Sequence, residues 1–270
     1  MLIDKELFDK FFKGDNSRNF INIDINTFDE FNRLLATGDI KNNRHKTIAF
    51  SYYCLVSYLW KYSKYSSQII SVQDIKRILL LGEGDKRIDY IIKKNGVLDS
   101  HGFTETTRDF PIATIFDENN MICVKTLKDL DEESAKFFLS QCGKRYTCKK
   151  PIPQYKRDSK DGLMFSKDDV VPVSVFELTR TLLCPEISFD GFYVYMYIKY
   201  RCKMVCYSDL SIFYAELERH IGYKKRRIRE LIKALTNAGM IRVESQYEHE
   251  NNRISRNNTY TITTPINQGN

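Results

Sequence analysis

The clearest alternation of apolar and polar positions lies between residues 207 and 262. Apolar side chains recur there at the spacing of one buried helix face, namely Ile228, Leu231, Ile232 and Leu235. This spacing predicts a helix over residues 224–237. An earlier helix is predicted over residues 209–219 with Ser208 as its N-cap. The turn between the two helices contains Gly222, which can supply the positive φ that such a turn often requires.

Two short strand patterns follow the second helix, at residues 240–243 and 259–262. The polar segment 245–257 between them predicts the extended wing of a β-hairpin. Helix, turn, helix and hairpin in this order indicate a winged helix-turn-helix, which is a DNA-reading fold.

A weak internal repeat precedes this module. Residues 25–29, 52–59, 95–98 and 107–112 are echoed in the same order by residues 173–177, 192–198, 238–241 and 258–262. Because the matches keep a nearly constant offset, they indicate two copies of one fold. The sequence therefore predicts an α+β protein, mostly helical, with two winged helix-turn-helix units in tandem that arose by duplication.

The first copy has its own predicted elements. An aromatic helix is expected over residues 47–64, and Ser71 with Asp74 predicts a capping box for the next helix. Residues 85–94 form the candidate recognition helix, and strands are expected at 97–98 and 109–116. This helix mixes basic residues with Asp85 and Asp89, so we expect weaker DNA binding than in the second copy, or a dimer or partner surface instead.

These patterns give contiguous domain boundaries. We expect an N-terminal helical arm (1–19), a first winged-helix unit (20–128), a basic connector (129–168), a second winged-helix unit (169–265) and a tail (266–270). Pro151 and Pro153 exclude a regular helix in the basic part of the connector. That part either follows a phosphate backbone or is a solvated spacer.

The second predicted helix carries the candidate DNA contacts. Arg226 and Arg229 are expected to pair with guanine, and Glu230 to accept from cytosine. Phosphates, or the minor groove beneath the wing, are expected for Lys224, Lys225, Arg253 and Arg256. The full set predicted for this unit is Tyr223, Lys224, Lys225, Arg226, Arg227, Arg229, Glu230, Lys233, Arg253 and Arg256, and for the first unit Lys86, Arg87 and Lys93.

Composition agrees with a polyanionic partner. The 270-residue chain has a net charge of +7, and the positive charge is concentrated in its C-terminal half. Seven irregularly spaced cysteines and four histidines predict neither a disulfide framework nor a zinc site, so we expect reduced thiols, a cytoplasmic location and no metal or cofactor. No signal peptide is visible and the longest apolar run, residues 47–60, is too short to span a bilayer, so no membrane partner is expected.

Catalytic motifs do not occur in the sequence. It has no G-x-x-x-x-G-K-[ST] loop, and no His-x-His pair stands where a metal beside a nucleophilic tyrosine would need one. We therefore expect no catalytic residues and no enzyme activity.

Over about residues 20–265 the predicted architecture resembles the tandem winged-helix replication initiators of plasmids. The segment YKKRRIR from Tyr223 and the return strand at Asn258-Thr259-Tyr260 carry this resemblance at motif level. It implies binding to double-stranded DNA at repeated origin sites, with a homodimer formed through the N-terminal unit. A transcriptional repressor with the same two modules is an alternative, and a protein-interaction scaffold without DNA binding is another.

Overall fold

The chain is a mixed α+β protein in which helices predominate and the sheets are small and antiparallel. The computed structural model describes residues 5–15, 19–82, 84–116, 118, 122–142, 146–152, 170–205, 209–250 and 253–263. Its contacts form two units, each built from two separate segments: Met1–Asp24 with Tyr52–Val175, and Ile25–Ser51 with Phe176–Asn270.

The helices and strands are interspersed along the chain. In chain order they are α1 (Lys5–Phe12), β1 (Phe20–Asp24), α2 (Thr27–Ala36), α3 (Asn43–Lys61), α4 (Lys64–Ser67), α5 (Val72–Ile78), α6 (Asp89–Ile92), α7 (Val97–Ser100), β2 (Thr104–Thr107), β3 (Pro111–Phe116), β4 (Ile122–Thr126), α8 (Glu132–Cys142), β5 (Cys148–Pro151), β6 (Val170–Ser174), α9 (Val175–Leu182), α10 (Ser188–Met204), β7 (Asp209–Ile212), α11 (Tyr214–Ile221), α12 (Lys225–Asn237), β8 (Ile241–Glu250) and β9 (Arg253–Ile262).

The first unit is held by strand pairs between distant segments. Strand β1 pairs antiparallel with β6, and β2 pairs antiparallel with β5. Helix α1 buries Leu7, Phe11 and Phe12, and the Phe12 ring lies 5.5 Å from that of Tyr58 on α3. The predicted capping box at the start of α5 is confirmed, because Asp74 N–H donates to the Ser71 hydroxyl and the Asp74 carboxylate accepts from Ser71 N–H.

The recognition helix predicted over residues 85–94 of the first unit is wrong. Helix α6 covers only four residues, because Asp85 instead accepts hydrogen bonds from the Arg87 N–H and guanidinium. The buried Lys76 ammonium donates a hydrogen bond to the Asp85 carbonyl at 2.6 Å. These local bonds hold the segment before Ile88 in a turn rather than a helix.

The strands predicted for the first unit also differ from the structure. Residues 97–98 lie in helix α7, not in a strand. Strand β3 does form within residues 109–116, but it pairs with β4. The partner of β2 is β5, which lies in the segment predicted to be a connector and is separated from β2 by residues 108–147.

The second unit has a three-stranded sheet in the order β7-β9-β8, with helices α11 and α12 between β7 and β8 in the chain. The prediction of one helix over residues 209–219 is wrong. Leu210 and Ile212 are buried while Asp209 and Ser211 are exposed, which is the alternation of a strand, and α11 begins only at Tyr214. Ser208, its predicted N-cap, lies outside the described residues.

Aromatic side chains form the core of the second unit. The Phe28 ring of α2 contacts Phe50 on α3 and Tyr193, Tyr197 and Tyr200 on α10. Helix α10 is buried along most of its length. Gly191 on this helix permits close packing, because a Cβ there would lie 2.5 Å from the Ile187 side chain.

Within the described residues, no helix combines the length and the apolar character that crossing a bilayer requires.

Candidate nucleic-acid interface

Helix α12 presents one apolar and one charged face, as its sequence predicts. Ile228, Leu231, Ile232 and Leu235 are buried. Basic side chains are exposed at its start and along its outer face: Lys224, Lys225, Arg226, Arg229 and Lys233. The Arg226 side chain is 93% exposed. This face is therefore open to a ligand of negative charge.

The turn before α12 is fixed by two residues of the second unit's N-terminal segment. Gly222 has φ of 85°, and its carbonyl accepts a hydrogen bond from the Asn43 side-chain amide. The Lys46 ammonium donates to the Ile221 carbonyl at 3.0 Å and so satisfies the C-terminal end of α11. Burial lowers the pKa of Lys46 to about 8. The angle between α11 and α12 therefore depends on contacts made by α3.

The first backbone amides of α12 receive support from α11. Its first turn contains no acidic residue, although a helix N-terminus favours negative charge. Glu218 on α11 supplies that charge, because its carboxylate accepts from Lys225 N–H at 2.7 Å. The basic side chains at the start of α12 thus oppose the helix dipole, with one carboxylate to offset them.

Asp190 is the central residue of a buried hydrogen-bond network at the start of α12. Its Oδ1 accepts from the Tyr223 hydroxyl at 2.6 Å and from the Thr47 hydroxyl at 2.8 Å. Its Oδ2 accepts from Arg227 Nη2 at 3.0 Å. Asp190 itself is only 8% exposed. Burial, and then the charge of Asp190, raise the pKa of Tyr223.

Two predicted DNA contacts are therefore engaged inside the unit. The Tyr223 hydroxyl points to Asp190, and the Arg227 guanidinium bridges Asp190 and Glu230 while 41% of its side chain stays exposed. A side chain held by a buried carboxylate gives up a charge-assisted hydrogen bond if it turns to a phosphate. The Tyr223 hydroxyl is thus turned inward, whereas the Arg227 guanidinium is held by Asp190 and its side chain stays partly exposed.

A second small network lies on the outer face of α12. Glu230 accepts from Arg226 Nε at 3.2 Å and lies 3.6 Å from Arg227 Nη1. The Tyr214 ring, at the start of α11, lies 5.8 Å from Lys225 Nζ and 5.3 Å from the Arg229 guanidinium carbon. Tyr214 therefore orients two of the predicted contacts, and Glu230 orients a third.

The hairpin after α12 is long. Strands β8 and β9 keep antiparallel register from the pair Ile241–Ile262 to the pair Glu250–Arg253. Arg253 and Arg256 belong to β9, but their side chains lie outside the described part of the structure. Their predicted contacts with DNA therefore remain predictions about a strand whose backbone is in place.

The three basic residues predicted in the first unit do not share a helix face. Lys86 and Arg87 precede α6, and Lys93 follows it. Arg87 forms an ion pair with Asp85 at 2.7 Å, and Lys93 forms one with Asp89 at 2.9 Å. Their carboxylate neighbours reduce the positive potential at this surface.

Sequence reasoning missed Asp190, Thr47, Tyr214, Asn43 and Lys46. Asp190 had a visible signal, since it is the one carboxylate in the apolar stretch from Ser188 to Ile198. Such a residue in a buried helix needs hydrogen-bond donors from elsewhere in the fold. The identity of those donors, on α3 and α12, has no signal in the local sequence.

Comparison with known proteins identifies no relative of this chain. No family profile, curated protein or solved structure matches the chain.

Proposed function

We propose that this chain is a sequence-specific double-stranded DNA-binding protein built from two winged-helix units that arose by duplication, and that its second unit is the principal reader. The observation that carries the proposal is the exposed basic face of α12, which follows α11 and a tight turn and precedes a long hairpin. A recognition helix that enters the major groove presents such a face.

The order of elements in the second unit supports the winged-helix part of the proposal. A winged helix adds a hairpin to the helix-turn-helix, and a short strand before the two helices closes the sheet. Here β7 takes that place, and the sheet order β7-β9-β8 joins it to the hairpin. A similar series of strand, helix, long helix, short helices and strand pair runs along the chain from β1 to β5, with α2 and the start of α3 contributed to the second unit.

The exposed basic residues of α12 are proposed to contact DNA in two ways, some at the bases and others at the phosphates. Arg226 and Arg229 lie on the outer face of α12 and are the proposed base contacts, because guanidinium groups pair with guanine in the major groove. Lys224, Lys225 and Lys233 are the proposed phosphate contacts. Each phosphate contact releases a counterion, so binding is expected to weaken steeply with salt.

The process that we propose is initiation of replication at repeated origin sites, with a homodimer formed through the first unit. This part rests on the resemblance to tandem winged-helix initiators. Directly repeated elements beside the coding region would favour an initiator, and a single inverted repeat over a neighbouring promoter would favour a repressor.

The test begins with selection of bound fragments from DNA that includes the flanking region of the gene. Affinity for the selected site and for unrelated duplex is then measured over a salt series, with the oligomeric state recorded on and off DNA. Tight, salt-dependent and site-selective binding supports the proposal. Equal and weak affinity for every duplex would overturn sequence-specific reading and favour a protein-interaction scaffold.

Replication itself needs a separate assay. The gene and its flanking repeats are placed on a plasmid that has no other initiator, in a host that supports the origin. Stable maintenance supports an initiator. Repression of a reporter without maintenance would assign the protein to transcription instead.

A further inference from the structure

The start of α12 is not held by its own cap. Lys224, at the N-cap, makes no side-chain capping bond, and the first turn carries only basic charge. Such a start is intrinsically unfavourable, because the cations meet the positive end of the helix dipole. Support comes from outside the helix: Glu218 accepts from the single amide of Lys225, and the direction of the residues around it depends on further contacts.

Asp190 has the geometry to do so. One carboxylate oxygen receives Tyr223, the last residue of the turn, and Thr47 from α3. The other receives Arg227, one turn into the helix. Tyr223 and Arg227 are thus both hydrogen-bonded to the same buried carboxylate. Between them in the sequence lie Lys224, Lys225 and Arg226. A buried, charge-assisted network of this kind is rigid when all of its members are satisfied.

We infer that Asp190 is the positioning residue for DNA reading: from the core it sets the orientation of the basic start of α12, and with it the discrimination between sequences. This inference rests on the proposed DNA-binding function. Asp190 does not touch DNA itself. It acts through Tyr223 and Arg227, which are therefore supports of the reading face rather than readers.

Loss of the Asp190 network is therefore expected to affect sequence specificity more than overall affinity for DNA. Counterion release depends on how many phosphates the lysines and arginines reach, and a loosened helix start still reaches most of them. Bidentate pairing with a base depends on direction, and a good pair contributes about 1–3 kcal/mol of discrimination. Loss of the network should therefore lower binding to the selected site far more than binding to unrelated duplex.

The experiment compares three variants with the wild-type chain. Asp190→Asn keeps the shape and one acceptor oxygen but removes the charge that holds Arg227. Tyr223→Phe removes one donor to the same carboxylate. Glu177→Gln is the matched control, because Glu177 is also a buried carboxylate of the same unit but accepts from Tyr195 and Lys199 instead. It should lower stability without changing discrimination.

For Asp190→Asn we expect the ratio of specific to non-specific affinity to fall about tenfold, with a nearly unchanged salt slope. Tyr223→Phe should shift the ratio in the same direction by less. In the absence of DNA, backbone amides at residues 224–228 should exchange faster in Asp190→Asn than in Glu177→Gln at matched global stability.

The outcomes are distinguishable. If the wild-type chain binds no duplex selectively, the proposed function fails and this inference fails with it. If the wild-type chain is selective and Asp190→Asn keeps its full discrimination, only the inference is overturned. An equal loss in Glu177→Gln would show that general destabilisation, and not positioning, causes the effect, and this too would overturn it. Where Asp190→Asn does not fold, Tyr223→Phe decides by the same ratio.

Discussion

Ile23 and Val171 lie opposite each other in the antiparallel pair formed by β1 and β6. The sequence offset that aligns Phe28 with Phe176 in the internal repeat also aligns Ile23 with Val171. Ile23 and Val171, which this offset makes equivalent, therefore lie opposite each other in the strand pair. Self-equivalent pairing of this kind is the geometry of an isologous contact, and it supports the proposed duplication.

The exposed face of α12 leads to the first prediction. Arg226→Ala combined with Lys233→Ala should lower specific DNA affinity about 100-fold or more, because one proposed base contact and one phosphate contact are lost. Both side chains are exposed, so the free energy of unfolding should change by no more than about 0.5 kcal/mol. Binding isotherms and thermal unfolding of the same preparation measure the two effects.

Arg33→Ala is the control for that double variant. Arg33 is also an exposed arginine of the second unit, and it is paired with a glutamate on its own helix, α2. It should leave DNA binding unchanged. Unaltered binding by the double variant of α12 would remove this helix from the interface.

A second prediction concerns the turn between α11 and α12. Gly222→Ala places a Cβ in a backbone conformation with φ of 85° and 2.3 Å from Asn43 Oδ1. The backbone conformation alone costs about 1–2 kcal/mol for a residue with a Cβ. The Asn43 side chain must also move and give up its bond to the Gly222 carbonyl. We expect a loss of stability well above the backbone term, measured by denaturant unfolding.

The variant Gly38→Ala measures the free-energy cost of the positive-φ backbone conformation without a side-chain clash. Gly38 has φ of 84° in the same unit, but nothing lies within 4 Å of a Cβ built there. It should therefore lose only about 1–2 kcal/mol. Adding Asn43→Ala to Gly222→Ala should cost less than the sum of the two single changes, because the clash is then absent. Full additivity would contradict the close approach of Asn43.

The buried ammonium of Lys46 gives a prediction for pH. Its pKa is lowered by burial from 10.5 to about 8 in the folded chain. Between these two values the unfolded chain holds the proton and the folded chain does not, so the stability contribution of Lys46 rises with pH. Below pH 8 both states are protonated and the cost of the buried charge is fully present. Across this window the gain approaches about 3 kcal/mol.

The variant Lys46→Met isolates this pH-dependent gain in unfolding free energy, because methionine does not titrate. The difference in unfolding free energy between wild type and variant should shift in favour of wild type as the pH rises from 8 to 10.5. Denaturant unfolding at half-unit steps of pH measures it, and the subtraction removes the titration of the other lysines and tyrosines. A difference that is constant over the range would mean that Lys46 is not desolvated.

The two-segment composition of the second unit predicts how fragments behave. A fragment from about residue 165 to the end contains β7, α11, α12 and the hairpin but lacks Ile25–Ser51. It would lose Asn43, Lys46 and Thr47 together with the Phe28 and Phe50 rings. We expect it to be poorly folded and to bind DNA weakly.

Restoring the missing segment should restore folding. Residues 25–51 joined by a long Gly/Ser linker to the N-terminus of the fragment should recover cooperative unfolding and selective DNA binding. A cooperative transition in the short fragment alone would show that the α2–α3 segment is dispensable for this core.

Local patterns predicted the α+β class, helix α12, its buried stripe and the hairpin, because these depend on periodicity and on neighbouring residues. They failed at β7, where Leu210 and Ile212 fit a strand face or a helix face equally well over so few positions. They also failed at residues 85–94, where Asp85 engages its own neighbours. Asp190 could be noticed but not explained, since Thr47 and Arg227 approach it from other parts of the chain.

The pairing of β1 with β6 also sets an order for events on the ribosome. Strand β1 is synthesised before its partner, which emerges only after the whole segment between Asp24 and Val170 has left the exit tunnel. Closing so long a loop costs more entropy than a local hairpin, although each doubling of length adds only about 0.6 kcal/mol. Ile21 and Ile23 therefore lack their strand partners while the residues between β1 and β6 are being made.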